Sequence, residues 1–313
     1  MQFMELEHKH VLINDVNIHY VAAGPTNNKT PIGATLIFLH GFPEYWQTWH
    51  NQLSHFSKEH YVIAPDLPGY NLSDKTQDVS FYKLPNLIEF IAKFIKTVSP
   101  TEKVHLIAHD WGGAIAWPLV AFHPQIIEKL VIINAAHPST FTREMITNPE
   151  QRAKSAYIHD LINDNAETLL SKENYQYLCE KMMMSSDLNV FNEKIKERYR
   201  RVWKQPGAVN GMLQYYRAMP QLAAVTSDNN HKNLDSTGPV KSTKKMKIPN
   251  IRINVPTLIL WGEQDQAFVK ENLNGVEAFV PDCTIERFES ASHWLMHEKP
   301  IEINNAITRF IKA

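Results

Sequence analysis

Short, near-continuous apolar runs alternate along this chain with stretches in which apolar residues recur every three or four positions. Residues 35–39, 61–64, 104–108 and 130–133 are such runs, the pattern of strands covered on both faces. Leu84–Val98 carries Leu87, Ile88, Ile91, Phe94 and Ile95 at helical spacing, and a second helix is predicted through Ala114, Ile115, Trp117, Leu119 and Phe122. Residues 10–13 and 17–22, on either side of Asn14-Asp15, predict a hairpin. Strands alternating with helices imply an α/β fold with a mostly parallel sheet and right-handed crossovers.

From Pro138 to about Gln221 the rhythm changes. No strand-like run appears there, and helices are predicted over 153–170 and 175–184. Met182, Met183 and Met184 are expected to pack within this lobe rather than form a binding wall. Residues 226–249, with Lys241, Lys244, Lys245 and Lys247, read as a solvated loop. The core pattern resumes over 255–261, continues through a strand at 284–288, and closes with a helix over 300–311 that opens on Pro300 and Glu302. The expected division is an α/β core over 1–137 and 246–313, with a helical cap and its polar loop over 138–245.

Composition then narrows the class. The 313 residues suffice for one large core plus an inserted lobe. A net charge of −1 offers no pull towards nucleic acid or an anionic membrane. Cys179 and Cys283 form neither a disulfide framework nor a metal spacing. The charged start of the chain lacks the apolar stretch of a signal peptide, and no apolar run is long enough to span a bilayer. A soluble cytoplasmic protein is expected, as a monomer or a homodimer.

The chemistry gathers at strand ends, where loops of a parallel sheet converge on one crevice. Residues 104–108 meet His109-Asp110-Trp111-Gly112-Gly113 and then the second helix. This is a strand turning sharply into a helix with a carboxylate at the apex. Such a carboxylate is ionised at neutral pH and can displace a leaving group at saturated carbon without a base, forming an alkyl ester. The plainer alternative is that Asp110 caps the helix. His40, Asp265 and His293 stand at three other strand ends, with His40 expected among the oxyanion and substrate-binding groups. Asp265, with Glu263 as competitor, is expected to orient His293, which would deprotonate the water that cleaves the ester. Oxyanion donors are expected at the backbone N–H groups of Phe42 and Trp111.

His40-Gly41-Phe42-Pro43, His109-Asp110-Trp111-Gly112-Gly113, Trp261-Gly262-Glu263-Gln264-Asp265 and Ser292-His293 together resemble the epoxide hydrolase branch of the α/β-hydrolase superfamily. The resemblance covers nearly the whole chain. It implies an eight-stranded, mostly parallel sheet flanked by helices and an inserted helical cap. It also implies two cap tyrosines that hydrogen-bond the epoxide oxygen. Tyr216, in Leu213-Gln214-Tyr215-Tyr216-Arg217, matches one, with Tyr215 as the fallback; Tyr157, in Ala156-Tyr157-Ile158, matches the other. Phenols are neutral donors near pH 7 and suit that role.

Three positions depart from the family pattern: Ala108 and Asn71 replace usual glycines, and Gln214 replaces a frequent Asn. None is a reacting group, and Asn tolerates left-handed backbone. Haloalkane dehalogenases share the Asp-His-acid machinery and form the first alternative, but Phe42 and Tyr216 favour epoxides. Trp111 and Ala114 stand where fluoroacetate dehalogenases carry arginines, and Asp110 excludes a serine esterase. A ligand-binding relative without turnover is the alternative of another class. The reaction implied is hydrolysis of a small apolar epoxide by water to a vicinal diol. It needs no metal or organic cofactor, and no nucleic acid or membrane partner.

Overall fold

Asn14 and Asp15 both take positive φ (48° and 63°), the backbone that a two-residue hairpin turn requires and that these two residue types tolerate. They join β1 (Glu7–Ile13) to β2 (Val16–Ala23), with Ile13 facing Val16 across the turn. The computed structural model describes residues 5–25, 33–185, 187, 189–219 and 246–313. The predicted lysines 241, 244 and 245, and most of the 226–249 loop, lie outside the described residues.

The apolar runs form β3 (Leu36–Leu39), β4 (Val62–Pro65), β5 (Val104–His109), β6 (Ile127–Ile133) and β7 (Thr257–Gly262), and β8 (Cys283–Phe288) completes the set. Together they make an eight-stranded sheet in the order β1-β2-β4-β3-β5-β6-β7-β8. Among the described residues only β2 runs against the rest. The continuous runs are explained by burial: every residue of β3, β4, β5 and β7 is buried, as strands covered on both faces should be. Helices Leu84–Val98 and Trp111–Phe122 pack as one pair, and His50–Phe56 and Pro300–Lys312 as another. No helix among the described residues is long and apolar enough to cross a membrane.

Between β6 and β7 the described residues up to Arg217 are largely helical, as expected, but in shorter pieces. The single helix expected over 153–170 is instead Pro149–Lys154, Ile158–Ile162 and the start of Ala166–Tyr177. Asn163 explains the second break: its side-chain oxygen accepts the Asn165 N–H, a local turn that competes with the helix ladder. Of the helix expected over 175–184, residues 175–182 are helical but irregular. Ala166–Tyr177 kinks where Glu173, Asn174 and Tyr175 take positive φ, and a single π turn follows over Leu178–Met182. Hydrophobic spacing alone does not register these interruptions.

Candidate active site

Asp110 leaves β5 with φ 49° and ψ −120°, a conformation that costs a non-glycine residue roughly 1–3 kcal/mol and survives only when its surroundings enforce it. Two glycines do so. A Cβ on Gly112 would lie 2.4 Å from the Leu39 carbonyl, and one on Gly41 would lie 2.3 Å from the Asp110 Cβ. The bend therefore sits tight against β3 and the loop after it. The Asp110 side chain makes no capping bond to its own helix; its Oδ1 instead accepts the Phe42 N–H at 2.7 Å. The plain helix-cap alternative does not describe this geometry.

Asp265 follows β7 and is fully buried. Its Oδ1 accepts the N–H groups of Ala267 (2.6 Å) and Phe268 (2.9 Å). Its Oδ2 accepts the Asn134 amide at 2.7 Å and pairs with His293 Nδ1 at 2.8 Å. Burial pushes this carboxyl up, but the charge and hydrogen bond of His293, with Asn134 and Phe268, outweigh it and the net shift is down. Glu263, the competing acid, pairs with Arg287 at 2.9 Å at the surface. His293 Nε2 lies 3.7 Å from Asp110 Oδ2, so the ring stands between two carboxylates. Burial alone would lower its pKa, yet Asp265 first and Asp110 after it raise the value to about 9.

Three residues differ from expectation. His40 does not face the cavity: its Nδ1–H donates to Gly41 O at 2.9 Å, and its Nε2 accepts the Leu67 N–H at 3.0 Å. With both nitrogens committed to backbone and burial lowering its pKa, this neutral ring braces the loop behind Phe42 instead of touching substrate. Met183 packs in the lobe, but Met182 and Met184 line a cavity, contrary to the expectation that all three only pack. Asn71, in place of a usual glycine, does adopt a left-handed φ of 39°.

The tyrosines close the site from the inserted helices. Tyr216 is buried, 5.2 Å centre-to-centre from the rings of both Phe42 and Trp111, and 6.2 Å from Tyr157. Burial is the chief cause that raises the pKa of both phenols, with Asp110 adding to it, so both are O–H donors at neutral pH. Tyr215, the alternative register, points away and donates to Pro68 O at 2.8 Å. Two cavities, of about 470 Å³ and 400 Å³, meet at Asp110, Tyr157 and Tyr216. The larger is apolar, lined by Trp111, Phe141, Phe268, Met219 and Met246 among others. The smaller runs past Phe42, His293 and Trp294 to Lys154 and Lys181.

Sequence reasoning missed the groups beneath these. Asn134, at the end of β6, holds Asp265 and also exchanges bonds with the Gly262 backbone; its place one residue past an apolar run was the available signal. Glu44 is fully buried, with its Oε1 2.7 Å from His297 Nε2 and its Oε2 3.3 Å from His109 Nδ1. Burial pushes this carboxyl up, but His109 and His297 outweigh it and hold it well below the usual carboxylate range. His109 bonds His293 O at 2.9 Å, and its ring lies 4.5 Å from that of His293. Nothing local in the sequence pairs residues 44, 109 and 297. No group of three His, Cys, Asp or Glu among the described residues is arranged to hold a metal.

A reacting residue on a sharp strand-to-helix bend after β5, facing an acid-held histidine that follows β8, is the arrangement met in the α/β-hydrolase fold. A family model for the α/β hydrolase fold matches residues 34–300. The chain is 31% identical over 309 residues to epoxide hydrolase 2 of Caenorhabditis elegans, covering 97% of this chain and 79% of that one. The chain belongs to the α/β-hydrolase superfamily, in its epoxide hydrolase branch. It is also 34% identical to the AB hydrolase superfamily protein YfhM of Bacillus subtilis, over 96% of each chain. Among solved structures, a Bacillus megaterium epoxide hydrolase with a bound inhibitor superimposes with a TM-score of 0.81 at 29% identity, covering 97% of this chain and all of that one.

Proposed function

We propose that the protein hydrolyses an epoxide to a vicinal diol through a covalent ester on Asp110. The observation that carries the reading is the division of labour between the two Asp110 oxygens. Oδ1 is bonded by the Phe42 N–H, whereas Oδ2 faces His293 at 3.7 Å. Oδ2 is the oxygen free to attack an epoxide carbon. The C–O bond of the ring breaks, and the developing alkoxide takes a proton from Tyr216 or Tyr157. Oδ1 becomes the ester carbonyl oxygen, already in place for the Phe42 N–H, and for that of Trp111 at the head of the helix, to stabilise negative charge.

The second step turns on His293. Between two carboxylates its pKa is raised to about 9, so the resting ring is cationic at neutral pH. Esterification removes the Asp110 charge, one of the causes of that rise, so the ring gives up its proton to solvent while the tyrosinate left by the first step takes one back, and the neutral ring becomes available as a base. It takes a proton from water, whose oxygen adds to the ester carbon. The Cγ–Oδ2 bond then breaks, and the departing alkoxide takes the second water proton from the re-formed Asp110 carboxyl, which leaves Asp110 ionised and His293 cationic as at the start. Asp265 holds the ring in orientation throughout. The names of the relatives support the substrate class, and the apolar larger cavity supports an apolar substituent.

The test is incubation with styrene oxide and, in parallel, a panel of haloalkanes. Diol is expected from the epoxide, without halide from the haloalkanes. His293→Ala should stall after the first step and gain the mass of the epoxide on Asp110. Halide release without diol would transfer the same machinery to dehalogenation, and an unchanged mass with every compound would remove the covalent scheme.

A further inference from the structure

We propose that Gln151, on the inserted helix Pro149–Lys154, is a positioning residue for the acid of the triad; the proposal rests on the roles given above to Asp265 and His293. Gln151 is fully buried and its amide is saturated. Nε2 donates to Ala267 O at 2.8 Å and Ser155 Oγ at 3.1 Å, while Oε1 accepts the Val269 N–H at 3.1 Å and the Asn272 amide at 2.8 Å. Three of these four partners belong to the loop that carries Asp265.

The connection to the acid runs through Ala267. Its N–H donates to Asp265 Oδ1, and its C=O accepts from Gln151. Lys154, one turn further along the same helix, donates to the backbone carbonyl of Asp265 itself. The insertion thereby fixes both the main chain of the acid and the peptide that holds one carboxylate oxygen. The other oxygen, Oδ2, is then aimed at His293 Nδ1. Polar groups of this kind, a bond away from the reacting pair, set orientation and basicity. In this reading the helix Pro149–Lys154 is a fixed clasp, and the insertion contributes to the water step as well as to substrate binding.

The experiment compares Gln151→Leu and Lys154→Met with Arg143→Met in the full chain. Arg143 ties the insertion to the carbonyls of Glu271 and Asn274, farther along the same loop. Two quantities are read: the titration of the His293 ring by NMR in the free enzyme, and the rates of adduct formation and decay in a single turnover with styrene oxide. Gln151→Leu is expected to bring the His293 titration down towards an ordinary histidine. It should leave adduct formation within about twofold and slow decay about ten- to a hundredfold. Lys154→Met should act in the same direction and more weakly, and Arg143→Met should leave both quantities unchanged.

If Gln151→Leu melts earlier yet keeps the parent titration and decay rate, Gln151 is only structural and the proposal is overturned. If that variant does not fold, Lys154→Met decides, and parent values for it overturn the proposal. A parent enzyme that forms no adduct contradicts the covalent mechanism. The His293 titration still decides the role of Gln151 in that case.

Discussion

The two sides of the cavity are built differently. On the core side, Asp110, Asn134, Asp265 and His293 stand just beyond strand ends, on a sheet in which β3, β4, β5 and β7 are buried throughout. On the insertion side, Tyr157 immediately precedes a five-residue helix, Ile158–Ile162, and Tyr216 is the penultimate residue of Ala208–Arg217. Asp265 has four hydrogen-bonding partners from three parts of the chain. Tyr157 and Tyr216 are held largely by ring packing. In the proposed mechanism the difference separates the groups that make and break the ester, carried by strand ends and braced by Pro149–Lys154, from the phenols that meet the epoxide oxygen, carried by short helices.

That contrast predicts a ranking of effects. Asp110→Asn, which suits the positive φ, should fold normally and lose turnover by on the order of 10⁴–10⁶-fold, measured as diol formation. Residual activity near the parent level would move the nucleophile elsewhere. Tyr216→Phe should slow adduct formation by roughly 10²-fold, the lower range for a lost proton donor, while leaving adduct decay unchanged. If decay slows instead, the separation of the two sides is wrong.

The smallest effect concerns stability. The His293 pKa is raised from 6.5 to about 9 in the folded protein, so the imidazolium stabilises the fold fully below about pH 6.5 and the contribution is lost as pH rises through about 9. The melting temperature should therefore fall more between pH 6.5 and 9.5 in the parent than in His293→Gln. Equal falls would show that the ring gains nothing from its two carboxylates.

The same contrast governs how much was legible in the sequence. Strands β3 to β7 announce themselves as apolar runs because burial on both faces demands it, and Asp110 stands out because the Gly pair after it permits the bend. Tyr157 and Tyr216 carry no such mark; the resemblance supplied them, Tyr157 from just before a five-residue helix and Tyr216 from within an ordinary one. His40 sits beside the right loop, but its two ring bonds to Gly41 and Leu67 could not be read from its position. Glu44, Asn134 and Gln151 work through partners 65 to 253 residues away or through loops with no periodicity. Burial of a polar side chain is a tertiary fact, and hydrophobic pattern does not encode it.

The central claim is that the diol takes its new oxygen from Asp110. A single turnover with enzyme in excess, run in ¹⁸O-labelled water, tests it directly. The account predicts unlabelled diol and one ¹⁸O in the peptide containing Asp110. Label in the diol of that first turnover, with Asp110 unlabelled, would contradict it.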